Sequence, residues 1–175
     1  MMNKHKQKGA ETVEFALISL LFFAVLFAII EFGRALFVWN ALTEATRRGA
    51  RMAVICPVGS AIPKQVAIFD AFDGKLGASQ IIDGLTPNMV AVSYLDKDSA
   101  VTADPTQIKF VQVSIDVSPA TGYKHDLMIP LWGEPLIFNP ATLAFTTTLS
   151  TESLGALPTY PDDPPPNPKS PDCYF

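Results

Sequence analysis

The chain has 175 residues and a formal net charge of −4, with 49% hydrophobic and 17% charged residues. This length allows one modest domain, and the mild negative charge argues against nucleic acid as a partner. Two histidines and two cysteines are too few for a usual zinc site, so we expect no metal and no cofactor.

The first nine residues, MMNKHKQKG, form a short basic segment. Lys4, Lys6 and Lys8 are its charged residues, and it has no acidic residue. Because it lacks apolar periodicity, residues 1–9 are interpreted as a leader peptide and not as a folded element.

A long helix is predicted over residues 10–55, which contain no proline, and Pro57 ends the helical pattern. The uncharged run FALISLLFFAVLFAII at 15–30 predicts a transmembrane segment over about 13–39. Roughly 45 helical residues rise on the order of 70 Å, whereas a hydrocarbon core is about 30 Å thick. The second half of the helix, which is amphipathic, must therefore project beyond the lipid.

Residues 56–157 are predicted to form a small α+β domain. From Ile62 to Leu76, apolar residues recur at helical spacing. This pattern predicts a short amphipathic helix that ends near Gly74 or Gly77.

Three strands are predicted in this domain, over 89–95, 111–117 and 143–149, because these segments are enriched in β-formers or alternate apolar and polar residues. The expected fold class is thus α+β, with an antiparallel sheet of about three strands. So thin a fold needs the long helix or a partner to cover one face of the sheet.

The proline-rich tail, 158–175, is expected to be extended or disordered.

The two cysteines lie at the start of the predicted domain (Cys56) and in the tail (Cys173). A remote pair in a presumed exported domain predicts a disulfide in an oxidising compartment. Two unpaired thiols are the alternative.

The junction of leader and apolar helix places Gly9 directly before the helix and Glu14 five positions after that glycine, inside the hydrophobic region. An ionisable group at the margin of a membrane helix is unfavourable without a partner, and such groups are functional candidates. If the chain is cleaved after Gly9, the new ammonium group of Ala10 is the obvious partner for Glu14 of the same or a neighbouring subunit.

This arrangement resembles the type IV pilin class and, more closely, the TadE-like family of the tight-adherence (Tad, Flp) pilus system. The resemblance covers roughly the first third of the chain. It is carried by the apolar run, by the stretch NALTEATRRGARMAV at 40–54, and by Gly9, Ala10, Val13, Glu14, Phe15 and Ala16.

Two departures distinguish the chain from the major Flp pilin. Phe15 replaces the tyrosine typical of that protein, and the C-terminal domain is far larger than that very short protein allows. A minor pilin or pseudopilin is therefore favoured over the main filament subunit.

The resemblance implies cleavage by a prepilin peptidase between Gly9 and Ala10, and a role for Glu14 and Phe15 in assembly. It implies a single-pass protein of the bacterial inner membrane with a cytoplasmic N-terminus and a periplasmic domain, incorporated in an extracellular pilus for adhesion or secretion. The implied partners are the prepilin peptidase, the inner-membrane assembly platform, other Tad pilins and the membrane itself. The lysines of the leader favour this orientation, although arginines in the second half of the helix weaken the charge contrast.

Two other interpretations stay open. The apolar run could be a plain signal anchor for a periplasmic binding or structural module unrelated to pili. A cleaved secretory signal is the second, since Gly33 and Ala35 form a small-x-small site that would leave a mature terminus at Leu36.

We do not expect an enzyme. The sequence has no Ser or Cys in a nucleophile-elbow context, no glycine-rich phosphate loop after a strand, and no paired carboxylates. His125 and its neighbours Lys124 and Asp126 are interpreted as ordinary polar loop residues.

Overall fold

The structure is a computed structural model that describes residues 8–70, 77–118, 120–126, 136–137, 145–155 and 173. The helices are α1 (Lys8–Ala53) and α2 (Ile62–Ala67), and a 3₁₀ turn covers Pro87–Met89. The strands are β1 (Val90–Leu95), β2 (Phe110–Ile115), β3 (Lys124–His125), β4 (Leu136–Ile137) and β5 (Phe145–Ser150). The predicted α+β class and the predicted long helix are confirmed.

The helix α2 is shorter than its apolar periodicity predicted. It ends at Ala67 because Phe69 adopts a positive φ of 58°. The backbone N–H of Asp70 donates to the carbonyl of Gln65 (3.1 Å) and that of Phe69 to the carbonyl of Val66 (3.2 Å), which is a Schellman C-cap. Gly74 lies in 71–76, outside the described residues.

The predicted three-stranded antiparallel sheet is confirmed, with the order β1-β2-β5. Val113 in the central strand lies opposite Val92 of β1 and Thr147 of β5. The strands β3 and β4 pair separately over two residues each, and the sequence pattern did not predict them.

The second half of α1 covers the inner face of this sheet, as so thin a fold requires. We call residues 38–53 the domain half of α1. Its buried residues join those of the sheet and of α2 in one apolar core; they are Val38, Ala41, Leu42, Ala45, Ala50 and Ala53, packed with Ala67, Ile68, Val90, Val111, Val113, Ile115 and Phe145.

Gly49 marks the closest approach of the domain half to the rest of the core. A Cβ atom at this position would lie 2.9 Å from Cβ of Ala67 in α2 and 3.1 Å from Cγ1 of Val113 in β2. The absence of a side chain at Gly49 therefore lets α1 contact α2 and the sheet at the same point.

The strand β5 runs alongside the domain half. Trp39 packs edge-on against Phe145 with ring centroids 5.4 Å apart, and the hydroxyl groups of Thr46 and Thr147 share a hydrogen bond of 2.9 Å. After β5, the N–H groups of Leu154 and Gly155 donate to the carbonyls of Val54 (3.1 Å) and Ile55 (2.8 Å), respectively. The segment thus binds the two residues that directly follow the last residue of α1.

Candidate functional site

The first half of α1 carries large apolar side chains that face away from the domain. We call residues 9–30 the apolar half. From Val13 to Ile30 its large aliphatic and aromatic side chains are between 43% and 73% exposed, except for the partly buried Leu26. Within the described residues this helix is long and apolar enough to cross a membrane, and none of its most apolar stretch is buried. Exposed apolar surface on this scale marks contact with lipid or with another protein.

The residues predicted to act in processing and assembly lie at the start of the apolar half. Gly9 is in the first turn of α1, and Ala10, Glu14 and Phe15 are all exposed. Ala10 and Glu14 are four residues apart in a continuous helix, so they lie on the same face one turn apart. The structure therefore places Ala10 and Glu14 on the same side of the helix.

The predicted Cys56–Cys173 disulfide is present at the opposite end of α1. The Cα atoms are 4.9 Å apart across a sequence separation of 117, and both cysteines are buried. The hydroxyl oxygen of Ser60 lies 3.7 Å from Sγ of Cys173. The bridge fixes residue 173 beside the end of the long helix, and the other residues of the predicted tail, 158–172 and 174–175, lie outside the described residues.

A charged cluster joins α1 to β3 directly after the apolar half. Oε1 of Glu31 lies 3.5 Å from Nε of Arg34 and 3.4 Å from Nε2 of His125, and Arg34 also donates to the backbone carbonyl of Asp126. His125 is only 2% exposed. We call Glu31, Arg34 and His125 the junction cluster.

Burial and the positive charge of Arg34 lower the pKa of His125 below its ordinary value of 6.5, and Glu31 opposes this shift. The imidazole ring is therefore held in its neutral form more strongly than in an unfolded chain. The cluster fixes the domain to α1 at the level where the apolar half ends.

The sequence interpretation was wrong for His125, which is a buried strand residue and not an ordinary polar loop residue. A two-residue strand has no periodicity that would indicate burial. The signal that could have found its partner is Glu31, a carboxylate at the margin of an apolar helix, which needs a nearby donor. Among the described residues, no group of three His, Cys, Asp or Glu side chains could hold a metal ion.

The described residues thus combine a small α+β domain with one exposed apolar helix that is long enough to cross a membrane. Residues 9–51 match the family model described as TadE-like protein, which confirms the resemblance noted from the sequence. The match begins at Gly9 and ends two residues before the last residue of α1, so it covers the helix and not the α+β domain. Nothing matches the chain among curated proteins or among solved structures.

Proposed function

We propose that this protein is a peptidase-processed minor pilin or pseudopilin that takes part in assembling a tight-adherence pilus for adhesion or secretion. The observation that carries the proposal is the apolar half of α1. It begins at Gly9, contains Glu14, stays largely exposed, and belongs to the segment that matches the TadE-like model. An exposed helix of this kind suits first a bilayer and then a bundle of similar helices in a filament.

In this proposal residues 10–30 span the inner membrane. About 21 helical residues rise roughly 32 Å, which matches a hydrocarbon core about 30 Å thick. The proposed span ends before the position near Trp39 that the sequence suggested, because Glu31 is already paired with His125 and Val38 is buried in the domain. The domain would then be periplasmic, and the disulfide supports this side because such bonds persist in oxidising compartments.

Cleavage after Gly9 would leave an ammonium group at the N-terminus of a helix, where the helix dipole is already positive. This charge needs a carboxylate nearby, and Glu14 lies one turn further on the same face. In a membrane, only a subunit at a suitable axial stagger can bring its own ammonium to the Glu14 of a neighbour. The pair would therefore act as a ruler for subunit stagger more than as a source of net stability.

The partners in this proposal are the prepilin peptidase, the inner-membrane assembly platform and other Tad pilins. Phe15, adjacent to Glu14 and exposed, would contribute apolar surface to the contact with neighbouring helices.

The decisive experiment joins N-terminal sequencing with charge substitution. Intact mass and N-terminal sequencing of membrane-extracted protein should give a mature terminus at Ala10. Glu14→Gln and Glu14→Ala should leave membrane abundance and cleavage unchanged, and lower several-fold the fraction recovered with sheared pili or cross-linked to other pilins. Glu44→Gln is the matched control, because the side chain of Glu44 in the domain half is half-exposed and pairs with Arg48.

The same measurements separate the alternatives. An uncleaved N-terminus, with no loss of assembly in either Glu14 variant, would favour a signal-anchored periplasmic module. A mature terminus at Leu36 would favour a secretory signal. Against the latter, cleavage there would remove Glu31 and Arg34 and leave His125 without its contacts in the junction cluster.

A further inference from the structure

An open cleft of about 310 Å³ lies beside the junction cluster, between α1, the loop at 79–85 and β3. Its charged lining residues include two cations and two carboxylates, and its apolar wall includes two large exposed side chains. These residues are Arg34, Lys124, Asp83 and Asp126, with Phe37 and Ile81.

The loop at 79–85 is built to hold Ile81 outward. The hydroxyl oxygen of Ser79 accepts the N–H groups of Ile81 (3.2 Å) and Ile82 (3.1 Å), and the N–H of Ser79 donates to the carbonyl of Leu85 (2.8 Å). Ile82 and Leu85 are buried, whereas Ile81 is 50% exposed. The buried side chains of Ile82 and Leu85 thus anchor the loop, and Ile81 lines the cleft.

The position of the cleft along α1 relates it to the membrane surface. If the hydrocarbon core ends near Ile30, Arg34 lies roughly 6 Å beyond it. A headgroup layer is about 5–7 Å thick on each side of the core, so Arg34 lies within that layer. Phe37, one turn further, lies roughly 10 Å beyond the core and is 56% exposed, so it is on the outer side of Arg34.

We propose that this cleft binds the headgroup of an aminophospholipid, a phosphate that carries a primary ammonium group. Arg34 and Lys124 would face the phosphate, and Asp83 and Asp126 the ammonium. The four charges sum to zero, so a zwitterionic headgroup complements the cleft better than an anionic or a cationic one. Phe37 lies one turn further from the membrane than Arg34, so with Ile81 it would contact the two methylene carbons between the phosphate and the ammonium.

This inference rests on the membrane span in the proposed function, but not on the pilus role. Arg34 keeps its contacts with Glu31 and Asp126 and still has a side chain that is 40% exposed, so it can face a ligand without leaving the junction cluster. A bound headgroup at this level would fix the height of the domain above the bilayer and its rotation about the helix axis.

The test uses the full chain in nanodiscs made from equal parts of phosphatidylethanolamine, phosphatidylglycerol and phosphatidylcholine. After mild detergent extraction, native mass spectrometry counts the lipid that each protein retains. We expect phosphatidylethanolamine to be retained about tenfold over the other two lipids, because one charge-assisted hydrogen bond has this effect. Asp83→Asn should remove that preference, and Lys124→Gln should lower the retention of all three lipids.

The matched control is the double variant Lys97→Gln with Asp98→Asn, an exposed ion pair in the segment between β1 and β2. It should retain lipid as the parent does. Equal retention of the three lipids by the parent, or an equal effect of the control and cleft variants, would overturn the site. So would competition by soluble glycerophosphoethanolamine at the affinity of the lipid, or a cross-link from position 83 or 124 to another protein with no lipid retained.

The two proposals fail in different ways. Lipid retained by a protein that is cleaved but not assembled would overturn the pilus role alone. Normal cleavage and assembly without lipid preference would overturn the lipid site alone.

Discussion

The two halves of α1 belong to one unbroken helix, yet they are built for different surroundings. The apolar half exposes large side chains such as Phe15 and Leu20, whereas the domain half buries small ones such as Ala45 and Ala50. Helix propensity does not explain this difference, because Leu and Ala, which are frequent in the two halves, are both strong helix formers. The two halves differ in side-chain size. Small residues in the domain half let the sheet and α2 approach closely, whereas large exposed residues in the apolar half need an apolar medium.

The strongest test of this difference is to truncate a leucine side chain in each half of α1 and to compare the stability of the domain. Leu42 is wholly buried in the domain half, and Leu20 is exposed in the apolar half. Leu42→Ala should lower the free energy of unfolding of the domain by about 2–5 kcal/mol, because it leaves a cavity. Urea unfolding of the full chain in detergent micelles measures this, and Leu20→Ala should leave the domain transition unchanged. Equal shifts in the two variants would contradict the division of α1.

The disulfide holds the far end of the domain half covalently. Replacing both Cys56 and Cys173 by serine should lower the stability of the domain by about 2–4 kcal/mol and leave the helix of the apolar half intact. Addition of reductant should shift the parent by the same amount and the double variant not at all. Non-reducing peptide mapping of protein alkylated in its native host should recover the two cysteines as one linked peptide pair, and free thiols there would refute the bridge.

The glycines of α1 give a matched pair of positions. A side chain at Gly49 would meet Ala67 and Val113, whereas nothing lies within 4 Å of a Cβ at Gly33 among the described residues. Gly49→Val should therefore destabilise the domain by about 1–3 kcal/mol through overpacking, and Gly33→Val should not. The midpoint of thermal unfolding in micelles reports both. If Gly49→Val proves neutral, the close approach of α1 to α2 and β2 is not needed for stability.

The smallest expected effect is a pH dependence at the junction of the two halves. Because the pKa of His125 is lowered by burial and by Arg34, the unfolded chain binds a proton more readily than the folded one. Stability should be highest above the unfolded pKa of about 6.5 and should fall as the pH decreases below it. Urea midpoints between pH 7.5 and 5.5 should show this slope, and His125→Gln should flatten it.

In the uncleaved chain, His5, the other histidine, provides the control for that experiment. His5→Gln should keep the slope of the parent. The groups that face His125 are Glu31, Arg34 and Asp126, and a slope that survives His125→Gln would refute the assignment of the titration to this histidine.

Much of the fold could be predicted because each element has a local signal. The alternation of Val111, Val113 and Ile115 with polar residues marks one buried face of β2, and the absence of proline marks α1. The end of α2 could not be predicted in this way. Phe69 adopts a backbone conformation that glycine normally takes, so the residue type gave no stop signal.

The candidate sites also differ in whether a local sequence signal marks them. Gly9 and Glu14 could be found from the sequence because the motif is local, and the cysteine pair because the chain has no other cysteines. The junction cluster could not be found, because the contact between Glu31 and His125 is created by tertiary packing between distant segments. The cleft beside it depends on the same packing.

The row of contacts between α1 and the segment that contains β5 also determines how the domain resists mechanical force. Contacts follow one another along it, from Trp39 with Phe145, through Thr46 with Thr147, to the carbonyl of Val54 with Leu154. Tension applied to the sheet along the helix axis must shear these contacts together, because they are loaded in parallel. Tension applied between α1 and Cys173 passes through the disulfide, so the folded segment between the two cysteines lies outside the path of the force.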